Sequence, residues 1–459
     1  MIYVTKPAPS ITKQMSVFDL YFTDDPEPSR IIENDTCTRT TVHDPNSPKF
    51  RNLRDLYDVL YGHISNFNRS YAKLRECDPE SLYTTFYRAK SNKGMKRVFK
   101  DLFDTQKKYV ECSSGAVCAA VASALRPVIS QHPTEKDVEI KMEAYTSVMA
   151  TLEESGFDTS LVDVDLLLRS SFRRIDAPCD ALHNALYVLK NLFENDPFHG
   201  MYHTTAFAYI KGRSTLDAIK RHQKNESRWF AKYDLSNFFG STTMDFTIKM
   251  LKMIFPFSVL LKTAEGEEAL RTALSLGFLN GSLPQGTPLS PTLTNLFMIP
   301  IDHTLSRTLD NFDRRHFVYT RYADDFIISC KYDFSELKVR NLIKETLNKF
   351  ETPFSLNESK TRYGSSSGQN WNLGVMLNGN NEITVGHKKK REFKAMLHSY
   401  AMDRKNNKPW DRHEILAMEG LRSYYKMVEG GKIDAIVKYV GDKVGLDIPA
   451  AIKADLNPY

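Results

Sequence analysis

Asp324 and Asp325 stand side by side between two β-rich runs, Phe317-Val-Tyr-Thr-Arg-Tyr322 and Phe326-Ile-Ile-Ser-Cys330. Spacing that tight predicts a hairpin with acids at its tip. Two carboxylates at contact distance raise each other's pKa and destabilise a fold, and a divalent cation removes that cost. A third acid, Asp234, ends the aromatic, strand-like run Trp229-Phe-Ala-Lys-Tyr-Asp234. If the two strands are sheet neighbours, Asp234 and Asp324 meet. Such an oxygen donor set suits Mg²⁺, which keeps waters and shares substrate phosphates. Two ions ~3.5–4 Å apart are the usual equipment of phosphoryl transfer on nucleotides. An Asp-Asp pair alone reads better as a plain exposed turn; the flanking strand residues and the separate strand bearing Asp234 favour the metal.

The elements that must place these acids follow from periodicity. Residues Met244 to Phe255 carry apolar positions at Phe246, Met250, Leu251 and Ile254, which fits a helix face. Thr242 with Asp245 three positions on is a capping arrangement for it. Ser335 to Phe350 is again helical, and Trp371-Asn-Leu-Gly-Val-Met-Leu377 returns to strand. A helix is expected from Pro291 to Leu305. Strand, helix, hairpin, helix, strand describes an α+β layer with helices over one face of an antiparallel sheet. From about Leu53 to Leu168 the period is mostly helical, after a loop-like stretch over residues 1–50, with a loop expected at Ser130-Gln-His-Pro-Thr-Glu. After Gly379 the chain is again mostly helical. The expected organisation is therefore a helical N-terminal extension over 1–165, an α+β middle over 166–378 and a helical C-terminal part over 379–459.

Composition sets outer bounds. With 459 residues, 41% hydrophobic and 26% charged, the chain has the make-up of a globular protein of two or three packed units rather than of a disordered one. A formal charge of +6 permits a polyanionic partner without establishing one. Seven lysines and arginines fall between Met201 and Tyr233, and a second basic cluster comprises Lys388, Lys389, Lys390, Arg391 and Lys394. Charge runs are often merely solvated faces; these two flank the acidic motifs. The six cysteines, Cys37, Cys77, Cys112, Cys118, Cys179 and Cys330, show no zinc spacing and read as reduced thiols of a cytosolic protein. The N-terminus does not resemble a secretory signal. The longest apolar run, Ala116 to Leu125, falls short of the ~20 residues a membrane span needs and reads as a buried helix.

Three blocks in order carry a resemblance. Lys232-Tyr-Asp-Leu-Ser-Asn-Phe-Phe239, Leu283-Pro-Gln-Gly-Thr-Pro-Leu-Ser-Pro-Thr-Leu-Thr-Asn295 and Tyr322-Ala-Asp-Asp325 resemble the motifs of reverse transcriptases, particularly the bacterial group of retron, group II intron and phage-defence enzymes, over about residues 170–395. The resemblance implies a right-hand polymerase fold with fingers and palm interleaved over 166–378 and a thumb over 379–459. Asp234, Asp324 and Asp325 would be the catalytic metal ligands for Mg²⁺, with Mn²⁺ as a substitute, and deoxynucleotides the substrates. Phe239 matches the steric-gate position that rejects a ribose 2′-hydroxyl; a Phe in such a turn is otherwise core. Gln285, with donors and acceptors, and Gly286, which lets backbone approach a ligand, would lie beneath the incoming nucleotide. Arg173-Arg-Ile-Asp-Ala-Pro178 and Tyr209-Ile-Lys-Gly-Arg-Ser214 are similar to fingers blocks and nominate Arg174 and Arg213 for nucleotide binding, Arg174 foremost for the triphosphate. Lys360, in Leu356-Asn-Glu-Ser-Lys360, matches a lysine that protonates the pyrophosphate leaving group, with a solvated surface lysine as the alternative. Trp371-Asn-Leu-Gly-Val375 looks like the primer-grip region, and the basic helix near His387 would open a thumb tracking the duplex by phosphate contacts.

The expected activity is thus RNA-directed DNA synthesis, on a dedicated non-coding RNA in antiphage defence, in the cytoplasm, with no membrane partner and with oligomerisation left open. No nuclease signature or RNase H block of scattered acids follows the thumb, and the long N-terminal part departs from plain retron enzymes. Alternatives are protein-primed or untemplated DNA synthesis and a non-catalytic nucleic-acid scaffold. An RNA-synthesising polymerase is disfavoured by Phe239 and by Ala323, where that class more often has Gly.

Overall fold

A computed structural model of the chain describes residues 53–456 except 91–92, 107–114, 126–134, 161, 163–166, 169–170, 196–197, 199, 314, 367–370 and 372–373. The loop expected over 1–50, the one at residues 130–135 apart from Glu135, and Cys37 and Cys112 lie outside the described residues. The helices used below are α1 (Leu53–Ser70), α2 (Lys93–Gln106), α3 (Gly115–Ala124), α4 (Glu135–Glu154), α5 (Asp180–Glu194), α6 (Thr215–Lys224), α7 (Met244–Leu251), α8 (Ala264–Ser275), α9 (Leu289–Phe297), α10 (Ile299–Asp310), α11 (Glu336–Lys349), α12 (His387–Lys405), α13 (Arg412–Glu429), α14 (Gly431–Val444) and α15 (Ile448–Leu456). The strands are β1 (Tyr83–Ala89), β2 (Phe172–Pro178), β3 (Trp229–Asp234), β4 (Val318–Tyr322), β5 (Asp325–Cys330), β6 (Arg362–Ser365), β7 (Met376–Leu377) and β8 (Ile383–Thr384).

The chain divides into two compact units: residues 59–195 with 263–290, and the remainder. The unit containing 196–262 and 291 onward is built on a four-stranded antiparallel sheet of order β4-β5-β3-β6. Strand β3 sits inside this sheet because it is apolar on both faces, with Phe230, Ala231 and Tyr233 buried. Phe230 stacks on Trp371 at 5.4 Å, and both pack with Ile219, Ile327, Val375 and Leu377. The C-terminal helices α12 to α15 bury Phe393, Leu397, Tyr400, Met418 and Val440 in a core of their own. Burial of such side chains contributes about 1.5–3 kcal/mol each.

In the other unit, β1 and β2 form an antiparallel ribbon, Tyr83 opposite Pro178 through Ala89 opposite Phe172. This adds to the reading of Leu53 to Leu168 as mostly helical: a strand lies inside the proposed extension, and its partner is 83 or more residues away in sequence, beyond any local pattern. The chain between them, closed by the Lys90 N–H donating to the Ser171 carbonyl at 2.7 Å, is a helical insertion. Its helices α2, α3 and α4 pack Phe99, Leu102, Phe103, Val117, Tyr145, Val148 and Leu152 into a separate apolar cluster.

Several boundaries differ from expectation for local physical reasons. The cap of α7 is Thr243, whose side chain accepts from the Phe246 N–H, while the Thr242 hydroxyl turns inward to the Phe238 carbonyl. Helix α7 ends at Leu251 rather than Phe255, and the expected helix over Pro291–Leu305 is two helices, α9 and α10, broken at Met298. Among the described residues of the strand expected over Trp371–Leu377, Met376–Leu377 pair, with β8. No helix among the described residues is long and apolar enough to cross a membrane.

Candidate active site

Strand alternation places Phe230, Lys232 and Asp234 on one face of β3. Antiparallel pairing sets Asp234 opposite Asp325 at the end of the ladder. Beyond that pair, Tyr322 faces Asp325 across β4 and β5, leaving Ala323 and Asp324 as a two-residue turn. Ala323 takes φ 56° there, as the first position of such a turn demands, at a cost of about 1–3 kcal/mol for a residue with a side chain. The Asp324 carbonyl accepts from the Leu235 N–H at 3.1 Å, which ties the tip to the residue after Asp234. Asp234 and the adjacent Asp324 and Asp325, far from it in sequence, therefore stand together at one end of the sheet.

Their electrostatics follow from that crowding. Burial, then the Asp234 and Asp325 carboxylates, pushes Asp324 up to about 6. Asp325 is also raised, chiefly by burial, against the pull of Lys232. Two ammonium groups face the acids: Lys232 Nζ lies 2.5 Å from Asp325 Oδ2, and Lys360 Nζ lies 2.8 Å from Asp234 Oδ2. The Asp234 carbonyl accepts from the Asn357 N–H at 2.7 Å, fixing the short turn Glu358–Lys360 beside β3. Among the described residues no three acidic, His or Cys side chains close into a ready-made metal cage. Mg²⁺ does not require one, because it fills its shell with waters and substrate phosphates. Three hard oxygen donors opposed by only two ammonium groups, with Asp324 held toward its protonated form, are a donor set that a divalent cation fits.

The turn after Asp234 separates two phenylalanines. Phe238 is core, packed edge-on against Phe297 and Phe354 at 5.7 and 5.2 Å. Phe239 is only half-buried and lies edge-on to Phe238 at 5.6 Å. The packing role thus falls to Phe238 and leaves the Phe239 ring partly open. Arg213 is turned inward: its guanidinium donates to the carbonyls of Tyr202, His203 and Ala206. Those three bonds brace the loop before α6 and occupy part of the five-donor guanidinium that the resemblance nominates for nucleotide binding.

The other unit holds Arg174, Gln285 and Gly286. The Asp176 N–H donates to the Gln285 carbonyl at 2.7 Å, and a Cβ on Gly286, at φ 119°, would fall 2.7 Å from Ile175 Cγ2. Only glycine allows that approach. Asp176 Oδ1 accepts from Arg174 Nε at 2.8 Å and from the Thr85 hydroxyl at 2.9 Å, so Arg174 is held at the ribbon with its side chain 53% exposed. Sequence reasoning missed Arg88. It pairs directly with Arg173 across β1 and β2, both exposed, and among the described residues neither makes an ion pair with an acid. Like charges directly opposite are destabilising unless an anion joins them. No sequence signal could have found the pair, since 84 residues separate its members.

Residues 172–394 match the family "Reverse transcriptase (RNA-dependent DNA polymerase)". This region is similar to reverse transcriptases, and the curated relatives that it matches are retron enzymes. The chain is 27% identical over 186 residues to the retron Ec73 reverse transcriptase of Escherichia coli, covering 40% of this chain and 56% of that protein. Identity to the retron Ec83 reverse transcriptase of Escherichia coli is 28% over 249 residues, covering 53% and 76%. To the retron Mx162 reverse transcriptase of Myxococcus xanthus it is 27% over 281 residues, covering 57% and 56%. The chain thus spans between 56% and 76% of the length of these relatives. Among solved structures, apo telomerase from Candida tropicalis aligns at a TM-score of 0.33 and 12% identity over 47% of this chain and 52% of that one. The region that matches the family begins at β2, so β1 and the helical insertion precede it.

Proposed function

We propose that this protein is an RNA-directed DNA polymerase that joins deoxynucleotides by two-metal nucleotidyl transfer, copying a dedicated non-coding RNA in bacterial antiphage defence. The observation carrying this reading is the gathering of Asp234, Asp324 and Asp325 at one end of the β4-β5-β3-β6 sheet. Asp234 and Asp324, with Asp325, would hold two Mg²⁺ ions, Mn²⁺ substituting. Bound there, the metals lower the pKa of an attacking hydroxyl and neutralise charge on phosphate.

The chain's own side chains do the rest. Lys360, 58% exposed and reaching Asp234, donates a proton to the departing pyrophosphate. Phe239 excludes the 2′-hydroxyl of ribonucleotides. Gln285 and Gly286 support the nucleotide base, and Arg174 binds triphosphate oxygens bidentately. The basic start of α12 tracks nucleic-acid phosphates; of its lysines, Lys390 is already paired with Glu429 at 2.9 Å, and Lys389 donates to the Gly374 carbonyl at 3.1 Å.

The test is extension of a DNA primer on an RNA template by purified protein, with deoxynucleotides or ribonucleotides and Mg²⁺. Deoxynucleotide incorporation that Asp324→Asn lowers by at least ~100-fold, the scale of a lost electrostatic stabiliser, supports the reading. Preferential incorporation of ribonucleotides overturns it. DNA covalently attached to the protein would instead identify protein-primed synthesis, and incorporation without RNA would identify untemplated synthesis.

A further inference from the structure

Directly beneath the acidic turn lies an ion pair with no solvent exposure on either side chain, Arg321 with Asp302. Arg321 Nε donates to Asp302 Oδ1 and Oδ2 at 2.9 and 3.0 Å, and Nη2 donates to Oδ2 at 2.8 Å. The Tyr319 hydroxyl completes the carboxylate, donating to Oδ1 at 2.7 Å. The remaining guanidinium arm leaves the pair: Nη1 donates to the Ala323 carbonyl at 3.1 Å. Ala323 is the turn residue at positive φ, immediately before Asp324. Arg321 is itself fixed through its backbone, its N–H donating to the Thr205 carbonyl at 2.7 Å and its carbonyl accepting from the Phe207 N–H at 2.9 Å.

We propose that Asp302 and Arg321 form a positioning clamp that sets the backbone of the Tyr322–Asp325 turn and thereby aims the Asp324 carboxylate at the metal. Both carbonyls of the two-residue turn are then held from outside it, Ala323 by Arg321 and Asp324 by the Leu235 N–H. An alanine at positive φ relaxes unless its surroundings over-determine it, and a charge-assisted bond from a rigid, buried donor does that. Asp302 aims the donor: its two oxygens take Nε and Nη2 in a fork, which leaves Nη1 one direction to point. A pair that only stabilised the fold would have no need of an arm directed at the turn. The clamp rests on the polymerase reading above, since it takes Asp324 to be a metal ligand.

The test is Mn²⁺ binding to the full-length protein, followed by the electron paramagnetic resonance of the free ion, together with unfolding midpoints and kcat and KM for the deoxynucleotide. Wild type, Asp324→Asn, Arg321→Lys and the double variant Asp302→Leu with Arg321→Met are compared. Replacing both members of a buried pair by apolar side chains of similar volume commonly preserves stability, so the double variant separates folding from positioning. The expected result is an unfolding midpoint near wild type, a Mn²⁺ dissociation constant raised about 10-fold (about 1.4 kcal/mol), and a lowered kcat with KM for the nucleotide little changed. Arg321→Lys, which keeps the charge but lacks the fork, should be folded and weakened in the same direction. Either folded variant binding Mn²⁺ and turning over like wild type overturns the clamp while leaving the polymerase reading intact. Wild type showing no Mn²⁺ site that Asp324→Asn removes overturns both.

Discussion

Replacing Lys232 by methionine strips the cation from Asp325 while keeping the apolar stem that packs along β3. The two charged groups are 2.5 Å apart and 19% and 15% exposed. Removing one partner of a fully buried pair costs about 3–5 kcal/mol; the residual exposure here brings the expected loss to roughly 2–3 kcal/mol. The unpaired Asp325 then adds its charge to Asp324 and Asp234, so the variant should take up a divalent cation more tightly than wild type. An ion present at ~100 times its dissociation constant adds about 2.7 kcal/mol to a fold, enough to offset the lesion. Urea unfolding with and without Mg²⁺, followed for the unit that contains the sheet, measures both quantities. The expected pattern is a clear loss of stability without metal and a larger Mg²⁺ increment in the variant than in wild type. Equal stability without metal, or equal increments in the two proteins, would refute the claim that Lys232 offsets a carboxylate charge that metal also neutralises.

Two further outcomes are expected. Phe239→Ala should raise ribonucleotide incorporation relative to deoxynucleotide by at least ~10-fold, a loss of about 1.4 kcal/mol of discrimination, read from kcat/KM for each substrate; an unchanged ratio would assign Phe239 to packing. Acid should destabilise the fold through His222, which is fully buried between the Ser329 and Thr320 hydroxyls at 2.6 and 2.8 Å. Burial, reinforced by Arg221, lowers its pKa from 6.5 to about 3. The unfolded chain takes up this proton below about pH 6.5 and the folded chain does not, so stability present above that pH falls as pH drops toward about 3, by up to about 1.4 kcal/mol per unit. His222→Gln, unfolded in urea over the same range, should lose that share of the slope; an identical slope would show that the imidazole is already charged in the fold.

The acids and their strands were legible because their signals are local. The aromatic and β-branched runs on either side of Asp324 pair as expected, and β3 delivers Asp234 to the same sheet end. What could not be read was long-range. Strand β1 is short and set among helices, and only its pairing with β2 gives it a role. The Arg88 and Arg173 juxtaposition and the Asp302 and Arg321 pair depend on the same folded geometry, and Asp302 looks like any helical acid in the sequence. Arg213 shows the converse: its family-like block is present, but its donors serve three backbone carbonyls. The choice between Thr242 and Thr243 as cap turned on which hydroxyl met an unpaired N–H, which adjacent threonines cannot reveal in sequence.

The most direct measurement is anomalous diffraction from crystals soaked with Mn²⁺ and a non-reactive deoxynucleoside triphosphate. A manganese peak within coordinating distance of carboxylate oxygens from both Asp234 and Asp324, touching the nucleotide's phosphates, is the predicted result. Ordered nucleotide with manganese bound elsewhere, or with neither carboxylate in its shell, would contradict it.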